Sequence, residues 1–126
     1  MIRIAVVDDD AGCRNGIGRV LSGAGYEPVL FASAEALLAE GVNGAACLVL
    51  DVQLPGLSGF QLHAALVTAG ASVPVIFITG GDEAGSRERA KRAGAVAFLS
   101  KPFLAGPLLE AIERAIDRTG SALPGL

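Results

Sequence analysis

The sequence predicts an α/β domain built on one doubly wound, five-stranded parallel sheet with helices on both faces. Three observations lead there. Short runs rich in Val, Ile and Leu recur at Ile2–Val7, Tyr26–Phe31, Ala46–Asp51, Val73–Thr79 and Val96–Leu99, and segments with helical spacing of apolar residues separate them. Those separating segments supply the crossovers that parallel strands need. The strands scarcely alternate polar with apolar residues, so each is expected to be buried on both faces. The polar residues fall instead at the carboxyl ends of the strands, where open sheets of this kind bind ligands.

Taken in order, Ile2–Val7 is closed by Asp8, Asp9 and Asp10. The segment from Ala11 to Gly25 then places Ile17, Val20 and Leu21 at helical spacing but carries Gly12, Gly16 and Gly18 inside it. Each internal glycine costs about 1 kcal/mol relative to alanine, so this helix should be the least stable locally. Pro28 cannot donate to a ladder, which assigns the second strand to a sheet edge. Ser33 is suited to cap a short helix, Ala34–Ala39, with Leu37 and Leu38 directed inward. Ser58 caps a third helix carrying Leu62, Leu66 and Ala69 and ended by Gly70. After Val73–Thr79, Gly80 and Gly81 break the chain, and residues 83–93 read as a charged helix terminated by Gly94. The last helix begins around Gly106 and Pro107, where a missing N–H is harmless, and presents Leu108, Leu109, Ile112 and Ile116 as its inner stripe.

Composition narrows the class. A chain of 126 residues with 52% hydrophobic and 18% charged residues fits one packed domain and not a disordered tail. Its net charge of −3 argues against a general nucleic-acid-binding surface. Residues 52–81 contain no Asp, Glu, Lys or Arg, yet Pro55, Gly56, Gly59, Gln61, His63, Gly70 and Pro74 interrupt the run, so no membrane span is expected. MIRIAVV before three aspartates is too short for a signal peptide, and a soluble cytoplasmic protein is the expectation. Cys13 and Cys47 fall near opposite ends of neighbouring strands, on the order of 12–15 Å apart, and are expected to be small hydrophobes rather than a disulfide.

The strand ends hold the chemistry. Strand one stops at Asp8 and Asp9, strand three at Asp51, strand four at Thr79 and strand five just before Lys101. Three neighbouring carboxylates raise one another's pKa, and a hard divalent cation relieves that repulsion. A hydroxyl and an ammonium are donors for an oxyanion. The set therefore describes a site able to hold a phosphoryl group on an aspartate.

The motifs VVDD at 6–9, LDVQLPGLSG at 50–59, FITG at 77–80, AGAVAF at 93–98 and KPF at 101–103 occur in order and spacing that resemble the receiver domains of two-component response regulators, the CheY-like family. The likeness spans residues 3–118, and the last two motifs look most like receivers that precede DNA-binding effector domains. It implies a flavodoxin-like (βα)5 three-layer sandwich with strand order 2-1-3-4-5, a receiver domain over 1–118, and a tail or linker over 119–126. It implies that Asp51 accepts a phosphoryl group from a sensor histidine kinase, a phosphotransfer protein or a small phosphodonor. Asp8, Asp9, Asp51 and the backbone carbonyl of Gln53 would hold Mg2+ (or Mn2+), with Asp8 acting mainly through water. Lys101 and Thr79 would contact the phosphoryl oxygens, Phe98 would follow Thr79 inward as an aromatic switch, and the Lys101–Pro102 bond would be cis. The surface of helix four, strand five and helix five would then change, and the resemblance is compatible with a homodimer through helices four and five, which the sequence itself does not reveal. On this view the chain is a signalling module and not a turnover enzyme.

Plainer roles are weighed beside these. Asp10 reads as a cap, Phe98 as a core aromatic, His63 as a solvent-facing flank residue, and Arg87, Glu88, Arg89, Lys91 and Arg92 as a solvated face. Leu104 stands where many receivers carry a capping Asp or Ser, so helix five is expected to start late or fray. Gly81 and Gln53 flank the site without fixing the lifetime of a phosphorylated state. The alternative function is a receiver-like interaction domain not regulated by phosphorylation. A small-molecule phosphatase fits less well, because Asp51-Val52-Gln53 lacks a second acid and no residues remain for a cap. A flavin-binding protein would need a Ser/Thr-rich loop after strand one, and none is present.

Overall fold

In the computed structural model, which describes residues 1–42, 44–81 and 85–121 with side chains through residue 117, five parallel strands alternate with five helices. The elements are β1 (Arg3–Val7), α1 (Ala11–Gly23), β2 (Glu27–Phe31), α2 (Ala34–Glu40), β3 (Cys47–Asp51), α3 (Gly59–Thr68), β4 (Val75–Thr79), α4 (Ser86–Arg92), β5 (Ala97–Ser100) and α5 (Ala105–Ser121). The sheet order is β2-β1-β3-β4-β5.

Alternation along the strands divides the core into two layers. Ala5, Val7, Leu48, Leu50, Val75 and Phe77 point to one face, where α2, α3 and α4 contribute Leu37, Phe60, Leu62, Leu66 and Ala90. Ile4, Val6, Cys47, Val49, Ile76 and Ile78 point to the other, against Ile17 and Leu21 of α1 and Leu108, Ala111, Ile112 and Ala115 of α5. Each helix hides one apolar stripe, and only a sheet apolar on both faces can receive both layers. The glycine-rich α1 still docks, because buried Gly18 lets the helix approach Leu30 of β2; a Cβ there would lie 3.2 Å from Leu30 Cδ1.

Pro28 does lie in an edge strand. The Glu27 N–H donates to the Ile2 carbonyl, so the next nitrogen along, that of Pro28, faces the open edge where no donor is required. Ser33 and Ser58 cap α2 and α3, the latter through a full capping box with Gln61. Both cysteines are free thiols, Cys47 buried and Cys13 half-buried. Among the described residues no helix is long and apolar enough to cross a membrane.

Several expectations shift. Leu38 is exposed, because it lies one residue, about 100° of helix, past buried Leu37. His63 is not a free flank residue. It is half-buried with its ring edge against Phe77 at 5.8 Å, since positions 60, 63 and 66 share one face of α3. Burial pulls its pKa below the ordinary value. Helix α4 spans Ser86–Arg92 rather than 83–93, entered through Gly85 at φ 87°; residues 83 and 84 lie outside the described ones. Strand β4 begins at Val75, after Pro74, and β5 runs one residue later than expected. Helix α5 starts at Ala105, directly after Leu104, which is 77% exposed and offers no side-chain acceptor for the first N–H groups. Residues 122–126 of the expected tail lie outside the described residues.

Candidate functional site

Register fixes which side chains meet. Val7 pairs with Leu50, so Asp8 and Asp51 extend from adjacent strands at the same level. Asp51 pairs with Ile78 and Thr79 with Ser100, which brings Thr79 and Lys101 to the same rim. The Lys101 N–H donates to the Thr79 carbonyl at 2.7 Å and ties the end of β5 to that of β4. The Lys101–Pro102 peptide bond is cis.

The Lys101 amine sits between two buried acids. Its Nζ lies 2.8 Å from Asp51 Oδ2 and 2.9 Å from Asp8 Oδ2. Hydrogen-bond geometry is met toward Asp51, and among the described residues Asp8 Oδ2 is buried without an aligned donor. The other carboxylate oxygens are held by local backbone turns: the Asp10 N–H donates to Asp8 Oδ1 and the Gln53 N–H to Asp51 Oδ1, both at 2.9 Å. Asp9 is exposed beside them, and single carboxylate oxygens of Asp8, Asp9 and Asp51 lie within 4.8 Å of one another.

The three ionisable groups respond differently to burial. Asp51 is driven above its ordinary pKa because burial outweighs the Lys101 amine and the Gln53 N–H, and the charge of Asp8 adds to the rise. Burial pushes Asp8 upward too, but the Cys13 thiol, Lys101 and the Asp10 N–H together hold it below the ordinary value. Burial opposes the charge on Lys101, yet its two carboxylate partners keep the ammonium well above its usual range. The Cys13 thiol, pushed up to about 11 by burial and by Asp8, is a poor nucleophile.

Thr79, 2% exposed, turns its hydroxyl onto its own loop: Oγ1 donates to the Gly81 carbonyl at 2.8 Å and accepts from the Gly81 N–H at 3.2 Å. Gln53 lies across the rim against Gly81, where a Cβ would come within 2.6 Å of its Nε2. Phe98 is half-buried in the layer shared with Phe77 and α4. Asp10 caps α1 by accepting from the Cys13 N–H at 2.7 Å.

The structure thus brings Asp8, Asp9, Asp51 and Lys101 together and sets Thr79 and Gln53 at the same rim, while Phe98 lies apart from them in the core layer beneath Thr79. Other supports carry no sequence signal. The Arg14 guanidinium donates to the Asp8 carbonyl at 2.8 Å. Glu35, in the first turn of α2, accepts from the Leu57 N–H at 3.2 Å and pins the loop after Asp51 at Gly56, whose φ is 76°. Arg87 and Arg89 lie over the rings of Phe98 and Phe60.

An all-oxygen donor set with one unsatisfied buried carboxylate oxygen suits a hard divalent cation. The same rim offers an ammonium to an oxyanion and a nucleophilic carboxylate beneath it.

Comparison with known proteins agrees with this fold. The profile of the "Response regulator receiver domain" family matches residues 4–113. The chain is 40% identical over 116 residues to nodulation protein W of Bradyrhizobium diazoefficiens, covering 91% of this chain and 51% of that protein. It is 36% identical over 121 residues to transcriptional regulatory protein FixJ of the same organism, covering 94% and 58%. It superposes on the solved response regulator StyR with a TM-score of 0.87 and 37% identity, over 94% of this chain and 61% of that one. The chain therefore spans about half the length of the curated relatives it matches.

Proposed function

This chain belongs to the response regulator receiver domain family, and from that premise we propose that it is switched by transfer of a phosphoryl group to Asp51. The observation that carries the reading is the Lys101 amine held within 3 Å of both Asp8 and Asp51, with Asp51 at the end of a buried central strand. A carboxylate oxygen of Asp51 attacks phosphorus, forming an O–P bond. The bond from phosphorus to the donor breaks, and its electron pair leaves with the donor: a histidine nitrogen of a sensor kinase or phosphotransfer protein, or the carboxylate of acetyl phosphate. Lys101 stays protonated throughout and follows the growing charge on the phosphoryl oxygens.

Asp8, Asp9 and Asp51, with the Gln53 carbonyl, would hold Mg2+ (or Mn2+), which when bound neutralises charge on the transferring group. Thr79 exchanges its Gly81 partners for a phosphoryl oxygen, and Phe98 moves into the space its methyl and hydroxyl leave. The surface of α4, β5 and α5 then passes between two arrangements. The likeness to transcriptional regulatory protein FixJ supports an effector that binds DNA in the parent protein. A homodimer through α4 and α5 and a cytoplasmic setting belong to the same proposal.

Intact mass after acetyl phosphate treatment tests it. Wild type gains one phosphoryl group only with Mg2+, and Asp51→Asn gains none. Undiminished labelling of Asp51→Asn overturns the assignment. Absence of labelling in wild type with Mg2+ favours the reading as an unregulated interaction domain.

A further inference from the structure

Helix α4 is poorly anchored by the usual means. It has seven residues, its first residue follows a glycine with no side-chain cap, and of its side chains only Ser86 and Ala90 are buried. Two exposed arginines fasten it to its neighbours. The Arg89 guanidinium carbon lies 4.5 Å from the centroid of the Phe60 ring on α3, and that of Arg87 lies 5.0 Å from the centroid of Phe98 on β5. The two platforms differ in kind. Phe60 is 7% exposed and its ring is tilted against that of Phe77 with centroids 4.6 Å apart, part of the fixed core. Phe98 is only half-buried, on a strand at the sheet edge.

Phe98 also shares a face with the site. Phe77 pairs with Phe98 and Thr79 with Ser100, so Thr79 and Phe98 project to the α4 side, two positions apart along the strands with the Ile78–Leu99 pair between them. A ring that moves from that place toward Thr79 leaves its present guanidinium partner unless Arg87 or α4 follows it.

We propose that Arg87 is a positioning residue that latches Phe98 in its outward place and so opposes the phosphorylated arrangement, while Arg89 is a fixed pivot for α4. This rests on the phosphoryl-switch reading above. An exposed cation over a half-buried ring is a weak contact, and its removal shifts the balance between two states by about two- to fivefold. Release of the latch frees the guanidinium and the amino end of α4 together.

Titration calorimetry with beryllium fluoride, a phosphoryl mimic, in excess Mg2+ tests the latch. Wild type binds. Arg87→Gln binds about two- to fivefold tighter, Arg87→Lys falls between them, and Arg89→Gln binds as wild type but melts lower. In a Phe98→Leu background, Arg87→Gln gives no gain, since the latch has lost its platform. Unchanged or weaker binding by Arg87→Gln overturns the proposal, as does an equal gain from Arg89→Gln, which would mean a general loosening of α4. Wild type that binds no beryllium fluoride overturns the phosphoryl-switch reading itself, so the two failures are distinct.

Discussion

Removing the Lys101 amine should expose how much repulsion it holds in check. Lys101→Met keeps the apolar stem and leaves two buried acids facing each other, with side chains 0% and 4% exposed for Asp8 and Asp51. With single carboxylate oxygens within 4.8 Å of one another and an effective dielectric constant of about 20, two such charges repel by at least about 3 kcal/mol. Protonation of Asp51, already displaced upward, and entry of water past exposed Asp9 relieve part of that. A net destabilisation of about 2–3 kcal/mol remains, or about 8–12 °C in Tm for a domain of this size. The assay is thermal unfolding of both proteins in EDTA and in millimolar Mg2+. In wild type the amine and a divalent cation compete for the same oxygens, so Mg2+ should raise the Tm of Lys101→Met by more than that of wild type and narrow the gap. Equal Mg2+ gains, or a variant as stable as wild type in EDTA, would refute the view that Lys101 is the counter-charge of this cluster.

Asp51→Asn should stabilise the domain at pH 7 by on the order of 1 kcal/mol. The folded-state pKa of Asp51 lies above the ordinary 3.8, so wild type loses stability as pH rises through that window and the amide does not; chemical denaturation at pH 7 and pH 3 should show the advantage vanish at the lower value. Asp8 has the opposite sign, its contribution present above 3.8 and lost as pH falls through its lowered value, but it is common to both proteins. Gly59→Ala places a Cβ into the Asp51 carbonyl group, so backbone must yield; a loss of about 1–3 kcal/mol by denaturant titration and slower acetyl phosphate labelling are expected. Gly81→Glu displaces the Gln53 amide and brings a carboxylate to the rim, where it can orient a water. Hydrolysis of the aspartyl phosphate should quicken about tenfold, well below a fully positioned base, and equal decay rates would show that the position has no reach.

The sheet was legible because it is apolar on both faces: runs such as VIFIT admit no other placement in a chain this size. The acids and Lys101 were legible for the converse reason, since a charge at the end of such a run is costly unless it is used. What escaped the sequence were contacts between residues far apart in the chain. Glu35 meets Leu57, and Arg87 meets Phe98, by virtue of how helices dock, which periodicity does not report. His63 and Leu38 were misplaced through the width of a helix's buried arc: α3 buries enough to half-cover position 63, whereas the two-turn α2 buries a single line through Leu37. The boundary of α4 shifted because Gly85, in the left-handed region, sets its start, and nothing in the charged run after it marks that point.

Charge balance explains why Thr79 is suited to respond in the proposed reaction. Three carboxylates and one ammonium leave the cluster with a net charge near −2, which a single divalent cation cancels. Phosphorylation replaces the charge of one carboxylate by about −1.5 to −2 and adds acceptor oxygens, so the site again lacks donors. Asp8 and Asp51 already hold the nearby backbone N–H groups of Asp10 and Gln53, and Lys101 is engaged with both acids. Among the described residues, the buried Thr79 hydroxyl is held by the carbonyl and N–H of Gly81, two residues away in its own loop. Exchanging those bonds for one to an anionic oxygen trades ordinary hydrogen bonds for a charge-assisted one, about twice as strong. Because Thr79 and Phe98 lie on the same face of paired strands, the proposed departure of the hydroxyl would be felt by the ring against which Arg87 of α4 lies.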